Sequence, residues 1–281
     1  MNYFADLPLW FNIALATLLG LLVGSFLNVV IHRLPIMMEQ TWRKELAEMN
    51  EQTVEEGTYN LITPRSACPQ CGHQITALEN IPVISWLLLK GKCSGCGTPI
   101  SKRYPAIELL TGILAGLLIA WFGPTLQGAA ALVLLFFLVP LTFIDADTQL
   151  LPDDLTLPLL WAGLLFNLNG TFAALNDAVI GAVAGYLILW SIYWAFKLLT
   201  GKEGMGYGDF KLLAALGAWM GWQMLPIILL LSSVVGVVIG LSQIAMSRMD
   251  KGQTMPFGPY LCCAGLVALL IGNRIYGLLG F

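Results

Sequence analysis

The sequence predicts an all-α polytopic membrane protein of about eight transmembrane helices, with one cysteine-bearing module between the first and second. Three observations predict it. Of 281 residues, 57% are hydrophobic and 11% charged, a composition far from that of soluble domains. The apolar residues lie in blocks close to bilayer length rather than in the alternating patterns of soluble proteins. When the blocks are drawn as eight spans with the N-terminus outside the cytoplasm, every one of the 14 Lys and Arg except Arg274 falls on the cytoplasmic side. The net charge is only -3 and no basic face with interleaved aromatics occurs, so nucleic acid is excluded as a partner and membrane lipid is expected.

The first apolar block, roughly 9–31, has no basic segment before it and exceeds the apolar core of a signal peptide, so it reads as a retained first span. It carries Ser25 and Asn28 at helical spacing, suited either to bonding a neighbouring helix or to touching a ligand. It ends at Arg33-Leu-Pro35, where the proline is expected to stop the helix. Charges at helical intervals over 39–56 predict an exposed amphipathic helix, and the cysteine module follows. Further spans are expected at about 105–123, 129–144, 155–168, 178–199, 210–222, 225–246 and 257–272, several of them short enough to require tilt or local thinning. The resulting division is a first helix (1–32), an extramembrane segment (33–104) and a seven-helix membrane domain (105–281).

Cys68-Pro-Gln-Cys71 and Cys93-Ser-Gly-Cys96 are two C-x-x-C knuckles separated by 21 residues, the spacing of four-thiolate zinc sites. Four thiolates close the coordination shell, so such a metal is structural. Disulfides are the alternative, disfavoured by the reducing compartment in which the topology places the module. His73 is read as a neighbour rather than a ligand, and Cys262 and Cys263 as lipid-facing or packing residues. Dense Pro, Trp, Tyr and basic residues in 80–105 suit a module lying on the membrane surface. Glu108 opens the next span, either as an interfacial cap at the helix N-terminus or as part of a ligand site with Ser25, Asn28 and the module.

Gly204-Met-Gly206-Tyr-Gly208-Asp209 is a glycine-rich turn that delivers a carboxylate to the start of an apolar helix. It lacks the Lys-Ser/Thr of a phosphate loop, and its glycines suit a flexible turn that a substrate strand can approach. Asp145, at the end of an earlier apolar block, falls on the same cytoplasmic side. Two neighbouring carboxylates cannot both ionise cheaply, so one holds a proton while the other activates water, as in aspartic proteases. Helix polarity favours Asp209 as the base and Asp145 as the acid. Asp147 competes with Asp145 for the partner role from the same polar loop, whereas Asp153 and Asp154 are expected to cap the next helix.

With these residues in place, the chain resembles the bacterial type IV prepilin peptidases, the bifunctional leader peptidases and N-methyltransferases of the GxGD aspartyl protease group. The resemblance is carried by Gly24-Ser-Phe-Leu-Asn28, the paired knuckles with Asn80-Ile-Pro82, Ser101-Lys-Arg103-Tyr-Pro105, the Asp145 segment through Leu-Pro152-Asp153, Gly206-Tyr-Gly208-Asp209 and Pro256-Phe-Gly-Pro-Tyr260. It implies that Asp145, not Asp147, is the catalytic partner of Asp209. It further implies cleavage of type IV prepilins or pseudopilins after a glycine, N-methylation of the new terminus from S-adenosylmethionine, and residence in the bacterial inner membrane. No Rossmann unit is present, so a methyl-donor pocket is expected near Glu108, Ser25 and Asn28. A carboxylate-coupled secondary transporter and a non-catalytic zinc-stabilised assembly protein are the rival readings.

Overall fold

The structure, a computed structural model, describes residues 7–51, 57–246 and 255–278. Among them run nine α-helices: α1 (Leu9–Met49), α2 (Ile84–Leu88), α3 (Arg103–Phe122), α4 (Leu126–Thr148), α5 (Asp153–Asn167), α6 (Leu175–Thr200), α7 (Tyr207–Met220), α8 (Leu225–Ala245) and α9 (Gly258–Leu278). No strand occurs among the described residues, only the isolated bridges Ala67 to Gln74 and Lys92 to Pro99. Five helices are long and apolar enough to cross a bilayer: α1, α3, α4, α6 and α8 with the 3-10 turn that precedes it. Each of the eight apolar blocks expected as spans falls on a helix, with ends shifted by a few residues in all but the first, whose helix runs on to Met49.

Pro35 does not stop the first helix, contrary to the expectation from sequence. α1 continues through it to Met49. The proline removes one backbone hydrogen bond, a cost of about 3 kcal/mol, while buried Ile31, Arg33 and Leu34 hold the helix on its N-terminal side. The Arg33 guanidinium donates to the carbonyls of Asn60 at 2.9 Å and Pro64 at 2.6 Å and lies over the Tyr59 ring. The amphipathic helix expected over 39–56 is thus the exposed outer part of α1. Residues 52–56, and Arg248 and Lys251 of the topological model, lie outside the described residues.

The chain forms two compact units, Met1–Phe136 and Phe137–Phe281, a division that places α3 with α1 rather than after a boundary at residue 104. In the first unit α3 packs along α1. In the second, α7 is the central element and meets α5, α6 and α9. From Asp209 to Met220 every residue of α7 except Lys211 is buried, as expected of a helix apolar on all sides. A Cβ on Gly181 would come within 2.4 Å of the Gly217 carbonyl oxygen, so α6 and α7 touch backbone to backbone.

The far end of α7 is closed by Asn167, the last residue of α5. Its amide donates to the carbonyls of Ala218 at 2.9 Å and Trp219 at 2.8 Å, and its oxygen accepts the N–H groups of Phe172 and Ala173. Those carbonyls belong to a helix end that has no intrahelical partner for them. Asn167→Ala leaves buried polar groups unpaired and is expected to cost about 2–4 kcal/mol, read as a lower unfolding midpoint in detergent.

Candidate active site

Asp145 lies in the last turn of α4, and Asp209 in the first turn of α7. Both are buried, at 4% and 6% exposure, and the charge of Asp145 acts on Asp209. Burying two acids within each other's field is costly unless the protein uses them. Asp145 Oδ2 accepts the Gly258 N–H at 2.9 Å. The Gly206 N–H reaches the Asp209 carboxylate, a reach-back from the helix N-cap to its third residue. Asp209 Oδ1 is buried without a hydrogen-bond partner.

Neighbouring segments fix this pair. A Cβ on Gly258 would fall 2.7 Å from Asp145 Oδ2, and one on Gly208 would fall 2.6 Å from Leu151 Cβ. Both glycines are therefore needed for close approach, which for Gly208 is a different role from the flexible turn read in the sequence. Lys211 donates to both oxygens of Asp153, at 2.6 and 2.7 Å, tying the start of α7 to the start of α5. Tyr207 and Phe210, which flank Asp209, lie on the ring of buried Tyr193 at 5.2 and 5.7 Å.

Asp147 is exposed and sits inside α4 rather than in a polar loop. Two residues of helix turn it about 200° from Asp145, so the shared-loop expectation fails for a geometric reason. Asp153 and Asp154 do not cap α5. The cap is Pro152, and the two acids lie in the first helical turn. Nothing in the sequence distinguishes Gly258 as a partner of Asp145, although it lies in the Pro256-Phe-Gly-Pro motif. Cys262 is buried and Cys263 exposed, one on each of the two surfaces expected for them.

The four cysteines of the knuckles converge. Their Sγ atoms all lie within 4.8 Å of one another, with 3.8 Å between Cys68 and Cys96 and 3.9 Å between Cys71 and Cys93. A tetrahedral ion with 2.3 Å bonds to sulfur has edges of about 3.8 Å, so the donor set fits a single metal ion. The Thr98 hydroxyl holds Cys96 down to about 6, while Cys71 is pushed up to about 12 by the Cys96 thiol against the His73 N–H. His73 offers Nε2 to Glu79 at 3.1 Å and to Ser94 at 3.0 Å. Glu79 also accepts from Ser94 and from the Thr76 N–H and hydroxyl, and these donors, Ser94 first, hold it at about 2. The carboxylate thus joins one knuckle to the other.

Glu108 is not a cap, because no acid lies in the first turn of α3. It sits in the second turn at 8% exposure, and its Oε2 accepts the Val83 N–H at 2.8 Å. The Ser25 hydroxyl bonds the same carboxylate. The Asn28 amide donates to the carbonyls of Gly24 at 3.3 Å and Tyr104 at 3.2 Å, joining α1 to α3. The structure therefore brings Ser25, Asn28 and Glu108 to one helix contact and adds Val83, which had not been singled out.

Comparison with known proteins places both units. Residues 18–122 match the bacterial peptidase A24 N-terminal domain, and residues 132–241 match the type IV leader peptidase family. A prepilin leader peptidase/N-methyltransferase of Aeromonas hydrophila is 60% identical over 269 residues, covering 95% of this chain and 93% of that protein. The chain belongs to the type IV leader peptidase family. Relatives with the same name from Stutzerimonas stutzeri (58% over 278 residues; 98% of this chain, 96% of that protein) and Pseudomonas putida (52% over 286 residues; 100% and 99%) extend the match along the leader peptidase fold. No solved structure matches the chain. Like its family, this leader peptidase is a multi-pass membrane protein, and its named relatives offer no support for a transporter.

Proposed function

We propose that this protein is an aspartyl endopeptidase that removes the leader of type IV prepilins or pseudopilins after a glycine and then N-methylates the new terminus. The observation that carries the peptidase reading is the buried pair Asp145 and Asp209, with one oxygen of Asp209 left unpartnered, a state that among the described residues only Trp194 Nε1 shares. Asp145 and Asp209 are the catalytic dyad and share one proton. The ionised member takes a proton from water as it attacks the scissile carbonyl, and the protonated member donates to the carbonyl oxygen. The Gly258 N–H holds Asp145 Oδ2, which leaves the proton traffic to Asp145 Oδ1 and Asp209 Oδ1. Because the dyad titrates as a unit, no fixed acid and base need be assigned.

Gly258→Ala places a methyl group against Asp145 and is expected to lower cleavage about a hundredfold while leaving helix content unchanged by circular dichroism.

The remaining assignments follow the topology and the family. Eight helices, α1 and α3 to α9, are the spans, with the N-terminus periplasmic and the knuckle module and dyad at the cytoplasmic face of the inner membrane. Cys68, Cys71, Cys93 and Cys96 hold a structural zinc ion. Residues 33–104 serve methyl transfer together with Ser25 of α1 and Glu108 of α3, and the rest of 105–281 serves cleavage. Glu108 and Ser25 line the methyl-donor site, and Asn28 holds the two helices that form it. Glu108 fits S-adenosylmethionine because a buried carboxylate complements a cationic ligand. When bound, S-adenosylmethionine supplies an electrophilic methyl group to the new amine. Incubating the purified protein with a prepilin and isotopically labelled methyl donor tests the whole reading: a leader-sized mobility shift followed by label on the mature chain is expected, and an unshifted, unlabelled prepilin overturns it.

A further inference from the structure

Val83 is held in a conformation that a β-branched residue avoids. Its φ is 61° and ψ is -49°, and the Ile84 N–H closes back on the Pro82 carbonyl at 2.5 Å, forming a γ-turn with positive φ at its centre. Such strain persists only where surrounding contacts hold it, and it gathers at ligand clamps and switches. Here the holding contact is visible. The Val83 N–H is bound by Glu108 Oε2 at 2.8 Å, and Glu108 is a buried acid on α3 to which Ser25 of α1 also bonds.

The turn is also the root of a movable piece. Val83 is the N-cap of the five-residue α2, whose Leu87 and Leu88 are 61% and 76% exposed. The far side of α2 is anchored to the segment just before α3 by Trp86 Nε1 on the Ile100 carbonyl at 3.2 Å. Between that anchor and the Glu108 contact, the segment carries no buried side chain in α2 to oppose a rotation.

We propose that the Val83 turn is a strained latch over the methyl-donor site. The Glu108 oxygen that now accepts the Val83 N–H is the atom that receives a cationic group of the donor, its sulfonium or its ammonium. On binding, the carboxylate exchanges one partner for another and is never left bare, while Val83 relaxes to negative φ and α2 turns away. The released strain adds to donor affinity, because a ligand shifts an equilibrium by the difference in its free energy between the two states. The latch also explains why Glu108 is covered in this structure. It rests on the reading of Glu108 as a donor-site residue.

The test titrates S-adenosylmethionine into the full-length, zinc-loaded protein in nanodiscs and follows amide hydrogen exchange over 78–90. Donor binding is expected to speed exchange at Val83 and Ile84 in the wild type. Val83→Gly removes the strain from the latched state, since glycine accepts positive φ freely, so donor affinity is expected to fall about tenfold, whereas Val83→Ala keeps part of the strain and is expected to lose less affinity than Val83→Gly. Glu108→Gln is expected to lose binding by tenfold or more. If Glu108→Gln loses affinity while Val83→Gly binds as tightly as the wild type or more tightly, the latch is overturned and the Glu108 site survives. If Glu108→Gln binds normally, the site itself is wrong and the latch falls with it. S-adenosylhomocysteine, which lacks the sulfonium charge, separates the two cations: faster exchange with both ligands assigns the ammonium, and with S-adenosylmethionine alone the sulfonium.

Discussion

Asp209→Asn and Asp145→Asn are each expected to lower prepilin cleavage at least about a thousandfold, since removing either carboxylate removes the shared proton and the groups act as a unit. Asp147→Asn, two residues away, is expected to cleave like the wild type because Asp147 is exposed and turned from the pair. The check is an initial-rate assay with purified prepilin in detergent, with each variant confirmed as folded. Substantial activity in either dyad variant sinks the shared-proton mechanism. Loss of activity in Asp147→Asn would instead mean that the acidic end of α4 acts through charge rather than through one positioned group.

The second large effect is on the knuckle module. Purified protein is expected to hold about one zinc ion per chain, and its removal by chelator, or Cys93→Ser, is expected to unfold residues 66–100. Metal binding in small four-ligand sites is worth on the order of 10 kcal/mol, more than a segment with so few buried side chains can replace. Limited trypsin digestion reads the result: Lys90 and Lys92 become quickly cleavable, while the buried α7 stays protected. Metal analysis showing no zinc, or a module equally protected without it, would remove the metal from the account.

Much of the architecture was legible because a bilayer constrains sequence strongly. Backbone groups in hydrocarbon must pair within a helix, so apolar blocks report helices almost directly: each of the eight blocks falls on a helix, five of them long and apolar enough to cross a bilayer. The thiol cluster was legible because each C-x-x-C turn aims two sulfurs at one point by local geometry alone. Pro35 was misread because propensity is local, whereas the fate of α1 beyond it depends on a helix held by packing and by Arg33 on the 60–64 loop. The cap reading of Glu108 and the loop reading of Asp147 fail for a smaller reason. A shift of two residues at the start of α3 turns a cap into a buried group, and one of four at the end of α4 turns a loop residue into an exposed helical one.

What the sequence determined by itself was the class of protein, the helices, the cysteine cluster and the family, and it marked Asp145 and Asp209 as the candidate pair. Only the tertiary structure decided that a short helix, α7, could carry Asp209, because α5, α6 and α9 surround it and bury it on every side. It also decided that Gly258 would clasp Asp145, and that Val83 would be bent against Glu108. These contacts join residues 113 and 25 positions apart along the chain. Local pattern reports what a segment prefers, and a buried charge or a strained turn exists only because distant segments hold it there.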